Sequence, residues 1–516
     1  MRKLQYSFFT VLLLAACQKE PATPTDTAAT TATSPPGGGA QVIRYVPPNP
    51  NVFLPTDTIN GWINSNPIND TAINEHAWAL WGAITTPSGQ SLNGTPLPVW
   101  ETWYDTTEVY HIGTELASAA NVSAVVKRQA RLKNPNTKRR LHLLVQSLHH
   151  GALKNALEKA ATASNPPPGI RGGALVTTFN RFTQEMYDHV GKNNYWQAST
   201  LTNLNNSWPA NTPIAQRAIQ NFPNTSVMMK PVFIVVSGTE PTMLPYWNGI
   251  ADATTADLKN PSWSTWKQCV LVDPTGTAKN DQDRWCNQSP QPGNCGDGNG
   301  DPPCGNTLMK AGTYQVVPVN ADPSKSSFYA FQLTQADVDD LKAYADEFFV
   351  AGGIQTPQAG DYAVFVASHM STREIDNWTW QTFWWQPNPS QLASEPPNAL
   401  SPPPAIPKPW NMYAACTAYY MVTPANDPKG KQHRCYNPYL ETDLTGLFDA
   451  SQTQTYPGIT SNCMSCHRAS AWPQPTVNNQ QQDVYATDFL LDPSDPKWFG
   501  TKTKLDFAWS MADFAH

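Results

Sequence analysis

The sequence predicts a mixed α+β fold: a strand-rich body with several helices over residues 47–400, then a C-terminal section, 401–516, that is largely irregular and helical. Three observations predict it. Short runs of aromatic and β-branched residues recur between turn-forming clusters, as strands do. A few stretches switch to a helical period. A proline-rich connector, QPNPSQLASEPPNALSPPPAIPKP (386–409), then separates the body from the C-terminal section.

Taken in order, residues 47–110 read as strand and turn, with HAWALWGAIT and LPVWETWYDT flanking the turn-forming TPSGQSLNGTP. Over 139–163, Leu141, Leu144, Val145, Leu148, Ala152, Leu153 and Leu157 share one helical face, and a second helix is expected near 183–190. Strands return in KPVFIVVSG and KQCVLVDP. The loop 286–306 carries Asp297, Asn299 and Asp301 at alternate positions, like the start of a calcium loop. Pro302 stands where glycine is needed and no glutamate follows at the right distance, so a disulfide-pinned surface loop is expected. Thr334 and Asp337 form a capping box opening a helix to about Val350, stopped by Gly352 and Gly353. GDYAVFVASHM and IDNWTWQTFWWQP read as buried strands. Trp378, Trp380 and Trp384 fall at even spacing on one face and Trp385 on the other. Such a stripe reads first as a core or sheet face and second as a stacking cleft for a ligand or cofactor edge.

The chain opens MRKLQYSFFTVLLLAACQKE: two positive charges, an apolar run too short to span a bilayer, then Leu14-Ala15-Ala16-Cys17. This ending resembles the lipobox of bacterial lipoprotein signals. It implies a signal peptide over 1–16, cleavage before Cys17, lipid on its sulfur and export. Gln18, where an aspartate would favour inner-membrane retention, points to the outer membrane, facing the periplasm or the cell surface. Residues 17–46, rich in Thr, Ala, Pro and Gly, read as a disordered tether.

Charged residues are 14% of the 516, against about 25% in typical soluble chains, and 48 prolines and 19 tryptophans take up the difference. That suits a loop-rich exported protein. The net charge of −6 gives no reason to expect a nucleic acid partner, and the basic run 127–140 reads as a solvated face. Nine cysteines are present. With Cys17 set aside for lipid and Cys463 and Cys466 for a Cys-x-x-Cys-His motif, an even number remains. Short loops close at least entropic cost, which favours Cys269–Cys286, Cys295–Cys304 and Cys416–Cys435.

SNCMSCH (461–467) is the most specific signal. Two intervening residues put Cys463 and Cys466 about one helical turn apart, matching the reach of two porphyrin vinyl groups, and His467 is placed next to bind the iron. A zinc site would want a second ligand pair, and only His433 and Cys435 lie upstream. A thioredoxin-type pair would follow a buried strand, whereas TYPGITSN is a polar turn. One covalent haem c is therefore the expected cofactor. For the second axial position Met511 is placed ahead of Met421 and His369, and an open position is the remaining alternative.

VWETWY (99–104), TFNRFTQEM (178–186), GDYAVFVASHMSTREIDNWTWQTFWW (360–385), NPYLE (437–441) and SNCMSCH resemble the large monohaem cytochrome c family proteins of Gram-negative bacteria, over most of the chain from about residue 70. The resemblance implies an exported haem protein, assigns no substrate, and carries over only Cys463, Cys466 and His467. The loop 286–306 looks like an insertion relative to that family. One-electron transfer with a redox partner protein or a small donor or acceptor is the leading expectation. A haem-dependent oxidoreductase with an open sixth position is the second, and an aromatic-lined binding lipoprotein with accessory haem the third. Membrane attachment is expected through the lipid alone.

Overall fold

The longest strands form where the sequence is most continuously apolar. The computed structural model describes residues 43–113, 180–248, 268–286, 307–341, 357–391, 400–420, 437–441, 463–474 and 491–516, with residues 119, 170–171, 177–178, 266, 435, 447–448, 454–455, 476–477 and 480–481. Its centre is an antiparallel sheet. Its main strands are β1 (Tyr104–Asp105), β2 (Arg181–Phe182), β3 (Val227–Val236), β4 (Ala330–Gln332), β5 (Tyr362–Thr372), β6 (Thr379–Trp385) and β7 (Tyr413–Thr417). They run in the order β7-β6-β5-β3-β2-β1, with β4 paired to β5 and the short strands Ile170–Arg171 and Thr177–Thr178 paired to β3. Nearly every residue of β3, β5 and β6 is buried. A strand covered on both faces tends to carry apolar residues at successive positions, as in PVFIVV of β3 and YAVFVA of β5. The molecule is thus mixed α+β with a strand-rich body.

One face of this sheet is covered by a helix. The expected strand HAWALWGAIT is instead part of α2 (Asp70–Thr85), which comes after α1 (Thr56–Ile63). The Asn69 side chain accepts from Ala72 N and caps it. Ile73, Ala77, Leu80, Trp81 and Ile84 then recur at helical spacing and are buried. Aromatic content suggested a strand, and the period and cap decided for a helix. Trp81 stacks on Phe383 of β6 at 4.0 Å between centroids. The expected turn after α2 is a hairpin, Pro87–Leu92 with Thr95–Pro98. Asn93 (φ 50°) and Gly94 (φ 81°) adopt the left-handed conformation a two-residue hairpin turn requires.

α3 (Gln184–Lys192) lies near the predicted position, and α4 (Ala198–Ser207) comes next. The Thr334 capping box is formed: Asp337 N donates to Thr334 Oγ1, and Thr334 N donates to Asp337 Oδ2. A smaller sheet joins Thr242–Tyr246, Gln268–Asp273 and Val316–Pro318. A disulfide links Cys269 to Cys286, with Cα atoms 5.9 Å apart. A loop of this size is worth about 3 kcal/mol in the chain-entropy account.

The section after residue 400 is expected to pack on the body. β7 lies in it and pairs with β6, and one hydrophobic core runs from Trp78 to Phe514. The expected signal peptide, Cys17, the 139–163 helix, the calcium-like residues, Cys295, Cys304 and Met421 all lie outside the described residues. No helix among the described residues is long and apolar enough to cross a membrane.

Candidate functional site

The second face of the central sheet carries different chemistry. Directly opposed residues of neighbouring strands point to the same side. The register aligns Lys230 of β3, His369 of β5, Thr382 of β6 and Cys416 of β7 in one row across four strands. Residues 437–441 lie over this row. The Asn437 amide donates to Thr382 Oγ1 at 2.6 Å and to the Phe383 carbonyl at 3.0 Å. Glu441 Oε1 is 2.8 Å from His369 Nε2, an ion pair when the imidazole is protonated.

Cys463, Cys466 and His467 stand together on the short helix α5 (Cys463–Arg468) beside this row. Cys463 is buried, and Cys466 and His467 are partly exposed. His467 packs against Trp380, two residues along β6 from Thr382, with ring centroids 4.4 Å apart. His467 Nδ1 is 2.9 Å from the Phe507 carbonyl. A carbonyl only accepts, so Nδ1 carries the proton and Nε2 keeps its lone pair. Burial pulls the His467 pKa down to about 3, which keeps the ring neutral and able to donate that pair.

The carbonyl that fixes this tautomer sits in a strained turn. Asp506 (φ 45°) and Phe507 (φ 68°) are both non-glycine residues in the left-handed region, a conformation that costs of order 1–3 kcal/mol each. The Asp506 carboxylate holds the turn by accepting from Arg373 Nε (3.0 Å), the Phe222 amide (2.9 Å) and Trp378 Nε1 (3.3 Å). Immediately beyond, Trp509 Nε1 donates to the Cys466 carbonyl at 2.9 Å, so the start of α6 (Trp509–Phe514) braces α5.

The charged groups around the motif are perturbed. Burial lowers Lys230 to about 8 and raises Asp513, on α6, to about 8, with Gln474 donating to the Asp513 carboxyl at 2.7 Å. Burial works against charging His369, but the Glu441 carboxylate outweighs it and the pKa is raised overall. Burial pushes Cys466 up to about 12. Cys463 instead lies below the ordinary thiol range, chiefly through its hydrogen bond with Cys435.

One expectation needs revision. Cys416 and Cys435 are thiols, not a disulfide. Both are buried, and burial raises the Cys435 thiol well above its ordinary range. The tryptophan stripe is the core face expected first and not the stacking cleft, since Trp378, Trp380, Trp384 and Trp385 are each at most 2% exposed. Met511 is fully buried on α6, whose leading segment braces the Nδ1 side of His467, whereas His369 lies near enough to influence both Cys463 and His467.

Sequence reasoning missed Lys230, Asp506 and Asp513 as site residues, and gave Asn437 and Glu441 of NPYLE no role. A charge inside an apolar run, as in VMMKPVFIVV and WSMADF, was the available signal.

The donor set fits a haem. Among the described residues no three His, Cys, Asp or Glu side chains are grouped to hold a metal ion by themselves. A haem iron brings four ring nitrogens and asks the protein for only one or two ligands. One neutral, oriented imidazole and two thiols a turn apart are what the chain presents. No protein-family model, curated protein or solved structure matches the chain.

Proposed function

We propose that the protein is an exported c-type cytochrome, similar to the monohaem cytochrome c family, with its largely irregular and helical C-terminal section carrying one haem. Cys463 and Cys466 would hold the porphyrin as thioethers and His467 would bind iron. The observation that carries the reading is the His467–Phe507 hydrogen bond, because an imidazole held through Nδ1 keeps Nε2 free to bind a metal. The bound group supplies one-electron chemistry. The chain's own residues do the rest: Phe507 fixes the tautomer, burial keeps His467 neutral, and Trp380 shields one side of the ring. Export rests on the leader, and anchoring in the outer membrane on lipid at Cys17, where several acyl chains at about 0.8 kcal/mol per buried CH₂ hold firmly.

For the sixth position, Met511 and His369 would remain the candidates among the described residues, with His369 Nε2 already paired to Glu441. A second reading, a haem-dependent oxidoreductase, is favoured by one observation: Lys230, His369, Glu441 and Asp513 gather beside the motif as an acid–base set larger than a carrier needs. Optical spectra of the oxidised and reduced protein separate the two. Low-spin iron in both states supports the carrier. A high-spin ferric spectrum, with ready cyanide binding and peroxide turnover, supports the enzyme.

A further inference from the structure

Trp380, packed on His467, is the first of a run of touching rings that leads away from the motif. Its ring centroid lies 4.4 Å from that of His467 and 6.5 Å from that of Trp378. Trp378 meets Phe222 at 5.8 Å, Phe222 meets His189 of α3 at 4.7 Å, and His189 meets Tyr195 at 5.7 Å. These are the separations of aromatic pairs in contact. Gln220 ties the far end together: its carbonyl is 2.9 Å from His189 Nε2, and its amide donates to Tyr195 Oη at 3.1 Å. Tyr195 is 6% exposed, and the next residue, Trp196, is half-buried against the exposed ring of His111 at 4.9 Å.

Two features set this run apart from ordinary core packing. Trp378 takes the left-handed backbone conformation (φ 58°), the one tryptophan among the described residues to do so, and such strain is held only where the surroundings enforce it. Its indole thereby reaches a carboxylate: Nε1 donates to Asp506 Oδ1 at 3.3 Å, and the other oxygen of that carboxylate accepts from Phe222 N at 2.9 Å. Trp380 Nε1 donates instead to the Asn377 carbonyl at 2.9 Å. An indole bonded to an anion loses an electron more readily than one bonded to a neutral carbonyl, because the negative charge stabilises the positive charge left on the ring. An oxidised Trp380 therefore draws its electron from Trp378, the next ring outward.

We propose that Trp380, Trp378, Tyr195 and Trp196 form a relay that carries oxidising equivalents, one electron at a time, from the haem site at His467 to the surface beside α3. This rests on the haem reading under the proposed function. Tryptophan and tyrosine rings can lose an electron and regain it, while Phe222 and His189 fill the space between Trp378 and Tyr195 without being oxidised. The oxidant is hydrogen peroxide, which takes up two electrons and two protons and leaves as two waters. The relay returns those electrons to the haem site singly, each ring being refilled by the next one outward. At the surface two phenol-type donors each lose one electron and one proton, which balances the sum. Oxidation thus ends on a replaceable donor and not on the buried core.

The test is photochemical. A ruthenium polypyridyl photo-oxidant is attached to full-length, haem-loaded protein at Lys192→Cys, on the exposed end of α3, or at Lys325→Cys, on the separate surface turn Pro323–Lys325. The flash-driven oxidation of ferrous haem is then timed. Trp378→Phe keeps an aromatic ring in place but puts its oxidation out of reach. It is expected to slow oxidation from the Lys192→Cys label several-fold and to leave the Lys325→Cys rate unchanged. The proposal is overturned if the Lys192→Cys rate is unchanged, or if both rates fall alike, as a merely structural role would give. Should near-ultraviolet circular dichroism show that Trp378→Phe has not folded, wild type decides without substitution. Dissolved photo-oxidant with persulfate is followed by peptide mass spectrometry, and products at Trp378 and Trp380 are expected to exceed several-fold those at Trp81 and Trp100, which are as deeply buried. Equal products at all four overturn the relay. Wild type that carries no haem contradicts the proposed function, and the same product map on the haem-free chain still decides the relay.

Discussion

The two faces of the central sheet differ in what their polar groups face. Beneath α2, the polar groups are one another's partners. His76 Nδ1 is 2.8 Å from the Tyr419 hydroxyl, and its Nε2 is 3.3 Å from Glu374 Oε1. Glu374 also accepts from Leu54 N at 2.6 Å and from Thr372 Oγ1, which is 2.6 Å from Thr379 Oγ1. His76, Glu374, Tyr419, Thr372 and Thr379 are all buried. On the other face, Lys230, His369, Glu441, Cys463, Cys466 and His467 influence one another across a region where Cys466 and His467 are partly exposed. A closed network of this kind resembles a catalytic cluster in its residue types but has no outlet. The second face has an outlet, at the partly exposed Cys466 and His467, and it is where the proposed function sits.

Substitutions should separate the faces. The largest stability loss is expected for Trp81→Ala, about 3–5 kcal/mol, from the lost aromatic burial and the cavity left behind. Chemical denaturation should show it, with haem content per folded molecule unchanged. A large change in haem content would mean that the α2 face is not merely structural.

Asp506→Asn should cost about 3 kcal/mol, because Arg373 (4% exposed) loses its buried counter-charge. It should also relax the strained turn behind His467 and shift the reduction potential and the ferrous spectrum. Glu374→Gln, of similar stability cost on the other face, should leave potential and spectrum alone. Equal spectral effects from the two would erase the distinction.

The smallest effect concerns pH. His369 has a raised folded pKa, so its pairing with Glu441 contributes stability fully present below the unfolded value of about 6.5. That contribution is lost as pH rises through the higher folded value. Glu441→Gln should therefore flatten the fall in stability above pH 6.5. A wild-type profile already flat there would remove His369–Glu441 from the account.

Much of this fold was legible in sequence, for identifiable reasons. β3, β5 and β6 were readable from their apolar and aromatic stretches (PVFIVV, YAVFVA, TFWW), and Trp385 was placed opposite Trp384 by alternation alone. α2 was misread because Trp78 and Trp81 look like strand residues, while the signals for it, the Asn69 cap and the spacing from Ile73 to Ile84, are positional. At the site, Cys463, Cys466 and His467 were legible because their chemistry fixes a local spacing. Phe507 was not, because it contributes only a backbone carbonyl from 40 residues away. Lys230, His369, Thr382 and Cys416 become one row only through strand register, which no local pattern encodes.

Acid–acetone extraction of the purified full-length protein, with a reduced pyridine haemochrome spectrum of the pellet, tests the central claim most directly. The account predicts that haem stays with the polypeptide at about one per chain, that Cys466→Ser loses or weakens it, and that His467→Ala does not bind iron normally. Haem that passes wholly into the acetone, or a wild-type pellet with no haem spectrum, would contradict covalent attachment at Cys463 and Cys466.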